Sequence, residues 1–416
     1  MVMRTGRKLR NDCDQIVRRA IAAVQPDAAV RRALKDIPLP QRRLVLVSVG
    51  KAAWSMARAA YDCVGDKLSS GIVITKHGHA QGPIGQLLIR EAGHPVPDQD
   101  TFSATQEALA LTQDLTAEDT VLFLLSGGGS ALFEAPLVPQ DELQRLTQSL
   151  LSCGADIVEM NTIRKRLSTV KGGRFAQHCA PARVCSIVLS DIIGDPLDMI
   201  ASGPAYPDSS TCADARRIAD KYALPLSGEA AGCLDKETPK ELHNVHTVIT
   251  GSVRALCAAA AAACRELGYE PMLLTDSLDC EAREAGDFLA AVARSHQNTG
   301  RSLAFLAGGE TVVHLTGKGK GGRNQELALS AAEGIAGLAG TAVFSVGSDG
   351  TDGPTDAAGG YVDGHTRDAL ARQGMRIYDV LRRNDSYTAL KACDGLIVTG
   401  ATGTNVNDIA VLLLRR

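Results

Sequence analysis

The chain has 416 residues, with 44 Lys and Arg against 47 Asp and Glu, a formal net charge of −3, and it is 45% hydrophobic but only 4% aromatic. That balance offers neither a basic field nor stacking platforms for nucleic acid, which is excluded as a partner. The length exceeds what one hydrophobic core usually serves, so two domains are expected.

The opening residues, MVMRTGRKLRNDCD, are basic without an apolar stretch, and the longest uncharged apolar run, Ala255 to Cys264, is half a membrane span. Eleven cysteines without CxxC spacing fit buried thiols in a reducing compartment. A cytoplasmic protein with no membrane partner is the expectation.

Helical spacing runs from Asn11 to Asp36 and is broken at Pro26. Repeated units of apolar run, polar or glycine loop, and helix follow. Leu44 to Val49 ends at Gly50-Lys51. Gly71 to Thr75 and Gln86 to Glu91 read as strands, the second closed by Gly93-His94-Pro95, and a helix from about Thr101 to Gln113 leads to the strand at Val121, which ends in SGGGSA. Asp141 to Arg174 reads as mostly helical with a basic end, Val184 to Leu189 as a strand stopping at Ser190-Asp191, and IIGDPLDMIASGPAYPD as a long loop. Periodicity is weakest over Pro225 to Glu241, so the domains are expected to be 1–235 and 236–416. In the second half Val245 to Thr250, Pro271 to Thr275, Leu303 to Leu306, Thr311 to Leu315 and Ala342 to Val346 read as strands, with further strands near Leu396 and Ile409. Helices are expected after Ser252, after Asp276 and from GKGKGGRNQE.

Strands alternating with helices, many of them continuous Val/Ile/Leu runs, indicate the α/β class with parallel sheets. Ligands of such sheets sit beyond the carboxyl ends of the strands. The residues expected there are Lys51, Ser126 to Ser130, Ser190-Asp191, Gly251-Ser252, Glu310 and Ser348-Asp349. Phosphoryl transfer needs backbone donors for phosphate, a cation and acidic residues for Mg²⁺, and all three are on offer. Ser126, Gly127, Gly128, Gly129 and Ser130 form a candidate phosphate cradle, because glycines let main-chain N–H groups approach a ligand and a helix starting near Ser130 would favour an anion. Candidate cations are Lys51, Lys171, Arg174, Lys318, Lys320 and Arg323. Arg323 stands out because it opens a helix against the dipole, a placement that local preference disfavours. Asp191, Asp195, Glu310, Asp349, Asp352 and Asp356 are candidate metal ligands or bases, with turn formation the alternative for Asp349 and Asp352.

No GxxxxGK[ST], GxSxG or HExxH occurs. Gly317 to Gly322 matches GxGxxG, but no acidic residue follows about 20 positions on, so a dehydrogenase is the lesser reading.

The runs LLSGGGSALFEAP, MNTIRKRLSTVKGGRFA, SDIIGDPLDMIASGPAYPD, GGETVVHLTGKGKGGRNQE, SVGSDGTDGPTDAAGGYVDG and TGTNVND resemble the glycerate 2-kinase family, whose C-terminal part is called the MOFRL domain and whose members also bear the name hydroxypyruvate reductase. The resemblance implies ATP-dependent phosphorylation of D-glycerate at its 2-hydroxyl, with Mg²⁺. It implies a cleft between an N-terminal Rossmann-like domain, a doubly wound parallel sheet, and a C-terminal α/β domain. It also implies catalytic roles for Lys51 and Arg323. Asp191 is the expected base or metal ligand, with Asp349 and Asp352 as alternative metal ligands. The segment Gly194-Asp195-Pro196 is one acid short of the family's usual loop. Gly251, Glu310 and Asn324 complete the expected nucleotide-contacting set, and a homodimer is one expected assembly. NAD(P)H-dependent reduction of hydroxypyruvate is the alternative activity, and a non-catalytic sugar-acid binding protein the third reading.

Overall fold

The computed structural model describes residues 2–38 and 42–416, with side chains from Arg7 onward. The described chain divides into two compact units, Pro26–Thr250, and the residues up to Gln25 together with Gly251–Arg416. Each unit is built on one six-stranded sheet.

In the first unit, β1 (Leu44–Val49), β2 (Leu68–Lys76), β3 (Leu88–Ala92), β4 (Thr120–Leu125), β5 (Arg183–Leu189) and β6 (Val245–Gly251) lie in the order β3-β2-β1-β4-β5-β6. The pairs β3-β2, β2-β1, β1-β4 and β4-β5 are parallel. Every residue of β1 and β4 is buried because both faces are covered. Val45, Val47, Val121 and Phe123 join Phe133 and Phe175 on one face, while Leu46, Leu122 and Leu124 join Met56, Ala57 and Ala60 on the other. This is the doubly wound arrangement expected of the N-terminal part. Register levels the strand ends: Val49 stands opposite Ile74 and Leu125, and Leu125 opposite Val188. The segments after β1, β4 and β5 therefore emerge side by side.

The second unit contains β7 (Glu270–Leu278), β8 (Leu303–Gly309), β9 (Thr341–Gly347), β10 (Gly359–Asp363), β11 (Leu396–Ile397) and β12 (Asp408–Leu414), ordered β11-β10-β9-β12-β8-β7. It remains α/β, but its sheet is mixed where a parallel one was expected. Only β7 and β8 pair in parallel; β12 runs antiparallel between β8 and β9, and β10 antiparallel between β9 and β11. Fully buried strands can belong to either kind of sheet, so apolar runs do not reveal direction. The expected strand Thr311 to Leu315 does not form: Val312 makes one isolated bridge to Glu281, and Leu315 is 81% exposed.

The division also differs from 1–235 and 236–416. Strand β6 completes the first sheet, and helix Val2–Ala23 belongs to the second unit, burying Leu9, Cys13, Ile16, Val17 and Ala20 in one core with Leu256, Cys257, Ala260 and Cys264 of helix Val253–Glu266. The apolar stripe of that first helix predicts burial but carries no information about which sheet receives it. Asp12, buried on the same helix, accepts hydrogen bonds from Tyr269 and Arg415. No described helix is long and apolar enough to cross a membrane.

Candidate active site

At the carboxyl edge of the first sheet the turns after β1 and β4 are bolted together. Lys51 N donates to Gly127 O (2.9 Å), Ala52 N to Ser126 Oγ (3.1 Å) and Ser126 N to Val49 O (3.0 Å). Gly50 has φ 123°, and a Cβ there would fall 2.5 Å from the Ser126 carbonyl oxygen, so only glycine permits this approach. Gly128, at φ 86°, does the same for two side chains: a Cβ would lie 2.9 Å from His94 Cδ2 and 3.3 Å from Lys51 Cγ. Gly127 lies against Asp191, whose Oδ2 would be 2.1 Å from a Cβ on it. Lys51, Ser126, Gly127, Gly128, Asp191 and, unforeseen, His94 are thus brought together. Burial, with Lys51, Lys76 and His79 nearby, pushes the His94 imidazole down to about 4, leaving it neutral at physiological pH. The helix expected near Ser130 is a single turn, Gly129–Leu132, too short for a substantial dipole. The cradle therefore relies on local N–H groups.

The basic segment behind this turn is mostly structural. Lys171, fully buried, donates to Ser130 O (2.9 Å) and Phe133 O (2.7 Å) and lies 3.2 Å from the equally buried Glu134. Arg174 donates to the carbonyls of Lys165, Arg166 and Ser168. Neither offers its charge to a ligand in the way expected; both hold the chain that carries the glycine turn. Burial lowers Lys171 to about 8, against the pull of Glu134, so it is protonated at neutral pH.

In the second unit the antiparallel entry of β12 sets Asp408 opposite Gly309 at the end of β8 and Gly347 at the end of β9. A strand start thereby joins two strand exits. Arg323, first residue of helix Arg323–Gly334, donates from Nε (2.5 Å) and Nη2 (3.1 Å) to the two oxygens of Asp408 and from Nη1 to Glu310 (2.7 Å). The carboxylates offset the helix dipole that disfavours a cation there. Glu310 also accepts from Asn407 (3.0 Å). Burial pushes Asp408 up to about 6, against the Arg323 guanidinium, and the carboxylates raise Arg323 despite its own burial. Asp408 and Asn407 were not singled out from sequence; an acid opening the last apolar run was the available signal.

Two expected ligand residues prove to be committed elsewhere. Asp352, 3% exposed, accepts from the backbone N–H groups of Asn324 (3.1 Å) and Gln325 (2.9 Å) and from Gln325 Nε2, so it caps helix Arg323–Gly334 rather than presenting a metal site. Asn324, 1% exposed, accepts from Ser345 Oγ and is no open nucleotide contact. Asp349 Oδ1 accepts from Thr351 N (2.9 Å), the turn-forming alternative, yet its carboxylate and that of Asp408 both lie against Gly347. Gly251 is buried at the end of β6, followed by Ser252, which caps helix Val253–Glu266. The GxGxxG match is accounted for by packing. Gly317 N donates to Asn384, Gly319 N to Arg383 O and Lys320 N to Asp385, so those N–H groups are spent within the protein. Lys320 lies over the Tyr387 ring.

Residues 12–235 match a domain model described as a domain of unknown function, DUF4147, and residues 303–408 match the MOFRL family. The chain is 52% identical over 406 residues to a D-glycerate 2-kinase of Thermotoga maritima, covering 96% of this chain and 97% of that one. It is 38% identical to a glycerate 2-kinase of Pyrococcus horikoshii, covering 96% of each. A crystal structure of glycerate kinase from Thermotoga maritima superposes with a TM-score of 0.95 at 51% identity, covering 98% of this chain and 99% of that one.

Proposed function

Because the chain belongs to the glycerate 2-kinase family, we propose that it transfers the γ-phosphoryl group of ATP to the 2-hydroxyl of D-glycerate. The observation that carries this reading at the level of residues is the Ser126–Gly129 turn, held open by glycines with Lys51, His94 and Asp191 against it. Such transfer passes through a loose transition state, so positioning and charge stabilisation do most of the work. Backbone N–H groups of the turn hold phosphate oxygens, and Lys51, exposed and with no ion-pair partner among the described residues, neutralises charge on the group in transit. Asp191 accepts the hydroxyl proton. Arg323 supplies a second cation, oriented by Asp408 and Glu310.

Mg²⁺ fits the Asp191–Asp195 turn better than Asp352. Asp195 Oδ1 is buried with no hydrogen-bond donor among the described residues, an orphan that a cation would satisfy. Asp195 would help hold the ion, which when bound supplies charge neutralisation at the phosphates, leaving Asp191 as the base.

The test is a paired assay. Enolase-coupled detection of 2-phosphoglycerate, formed only with ATP and D-glycerate, is expected, together with a drop of ~10³-fold in turnover for K51A and for R323A. Oxidation of NADH or NADPH by hydroxypyruvate without ATP would refute the reading in favour of the reductase.

A further inference from the structure

The sequence places five basic side chains between Arg164 and Arg174, and four of them are committed to carboxylates or carbonyls within the protein, although Arg166 Nε is itself buried without an acceptor. Lys165 lies 3.0 Å from Asp208 and 3.3 Å from Asp198; Arg166 contacts Asp208 and Glu237; Lys171 faces Glu134; Arg174 serves three carbonyls. Arg164 differs. Its Nη2 donates to Ser130 O at 2.8 Å, its Nε is buried with no acceptor, and no carboxylate lies within ion-pair distance of it among the described residues. A guanidinium carries five N–H donors, so most of this one's capacity is unspent.

Its surroundings select an anion. Arg164 and Lys171 bring two positive charges to Ser130 O against the single carboxylate of Glu134, leaving one charge in excess. Beside them Ser130 Oγ and Ser202 Oγ are 3.0 Å apart, with Ser202 donating to Asn161 Oδ1 at 2.8 Å. The backbone carrying Ser202 is held in left-handed conformations at Ala201 (φ 52°) and Ser202 (φ 62°). A planar fork of donors next to hydroxyls matches a carboxylate. Resting on the kinase reading, we propose that Arg164, with the Ser130 hydroxyl, binds the carboxylate of the hydroxy-acid acceptor, Ser202 serving only to orient Ser130, while the glycine turn on the other side of Ser130 serves the nucleotide.

A charge-assisted hydrogen bond contributes enough for its loss to raise KM by ~10- to 100-fold. R164Q is expected to raise KM for D-glycerate by that factor, to leave KM for ATP unchanged, and to abolish the preference for D-glycerate over the neutral acceptor D-glyceramide. A raised KM for ATP with D-glycerate unaffected would overturn the proposal and assign the guanidinium to a nucleotide phosphate; so would unchanged values for both. Should R164Q not melt cooperatively, R164K, which keeps the charge but loses the fork, must show the same pattern at smaller amplitude. Calorimetric titration with D-glycerate alone separates the two levels of inference. If the wild type binds D-glycerate without phosphorylating it, the kinase reading falls. Equal binding by wild type and R164Q removes the carboxylate subsite instead.

Discussion

Gly127→Ala is the sharpest probe of the first sheet's edge, because it moves one carboxylate and little else. Gly127 lies outside the left-handed region, so its backbone accepts alanine, and the added Cβ would meet Asp191 Oδ2 at 2.1 Å and Cγ at 2.8 Å. Ordinary contact begins near 3.4 Å, so the carboxylate must retreat by about 1 Å. A misplacement of about 1 Å in a reacting group costs on the order of 10²-fold in rate. The unfolding free energy should change by less than about 1 kcal/mol, since the entropy that alanine removes from the unfolded chain offsets part of the strain. Gly228→Ala is the matched control: a Cβ there meets nothing within 4 Å at the start of helix Gly228–Leu234, and it should stabilise by ~0.4–1 kcal/mol without touching activity. The assay is enolase-coupled turnover at saturating ATP and D-glycerate, beside urea melts of both variants. A folded G127A variant turning over within twofold of wild type would show that the position of Asp191 does not matter to the chemistry.

Other expectations follow from the same geometry. His94 is depressed in the fold to about 4 from an ordinary value of 6.5, so its neutral form contributes stability that is present above about pH 6.5 and lost as pH falls through about 4. The stability difference between wild type and H94Q should therefore shrink by roughly 1–2 kcal/mol, after allowing for solvent screening of a partly exposed ring, between pH 7 and pH 4 in denaturant melts, and a pH-independent difference would contradict the burial argument. Lys171→Met strands the buried Glu134 without its countercharge and should destabilise by ~3–5 kcal/mol at pH 7, largely rescued when Glu134→Gln is added; no rescue would mean that the two carbonyl contacts matter more than the pair. Asp352→Ala removes acceptors from two backbone N–H groups and Gln325 Nε2, a loss of roughly 2–4 kcal/mol by urea denaturation. In Asp352→Asn the Mg²⁺ concentration for half-maximal activity should stay as in wild type, and a marked rise would restore Asp352 as a metal ligand.

Much of the first unit was legible in the sequence because its information is local. Continuous apolar runs such as Leu44–Val49 and Thr120–Leu125 specify doubly buried strands, and Gly50, Gly127 and Gly128 announce turns in which a Cβ has no room. Family motifs then singled out Lys51, Asp191 and Arg323 and the kinase chemistry. Tertiary structure decided what depends on partners distant along the chain. It sent helix Val2–Ala23 to the second unit's sheet, since an amphipathic stripe is indifferent to which apolar surface covers it. It ran β12 antiparallel, which alone delivers Asp408 to Arg323 across 85 residues of sequence. It turned Asp352 into a helix cap and Lys171 into a buried strut while leaving Arg164 with donors to spare. Residue type states which bonds a side chain is able to make. Whether those bonds are already taken inside the protein is settled only when the chain has closed around them.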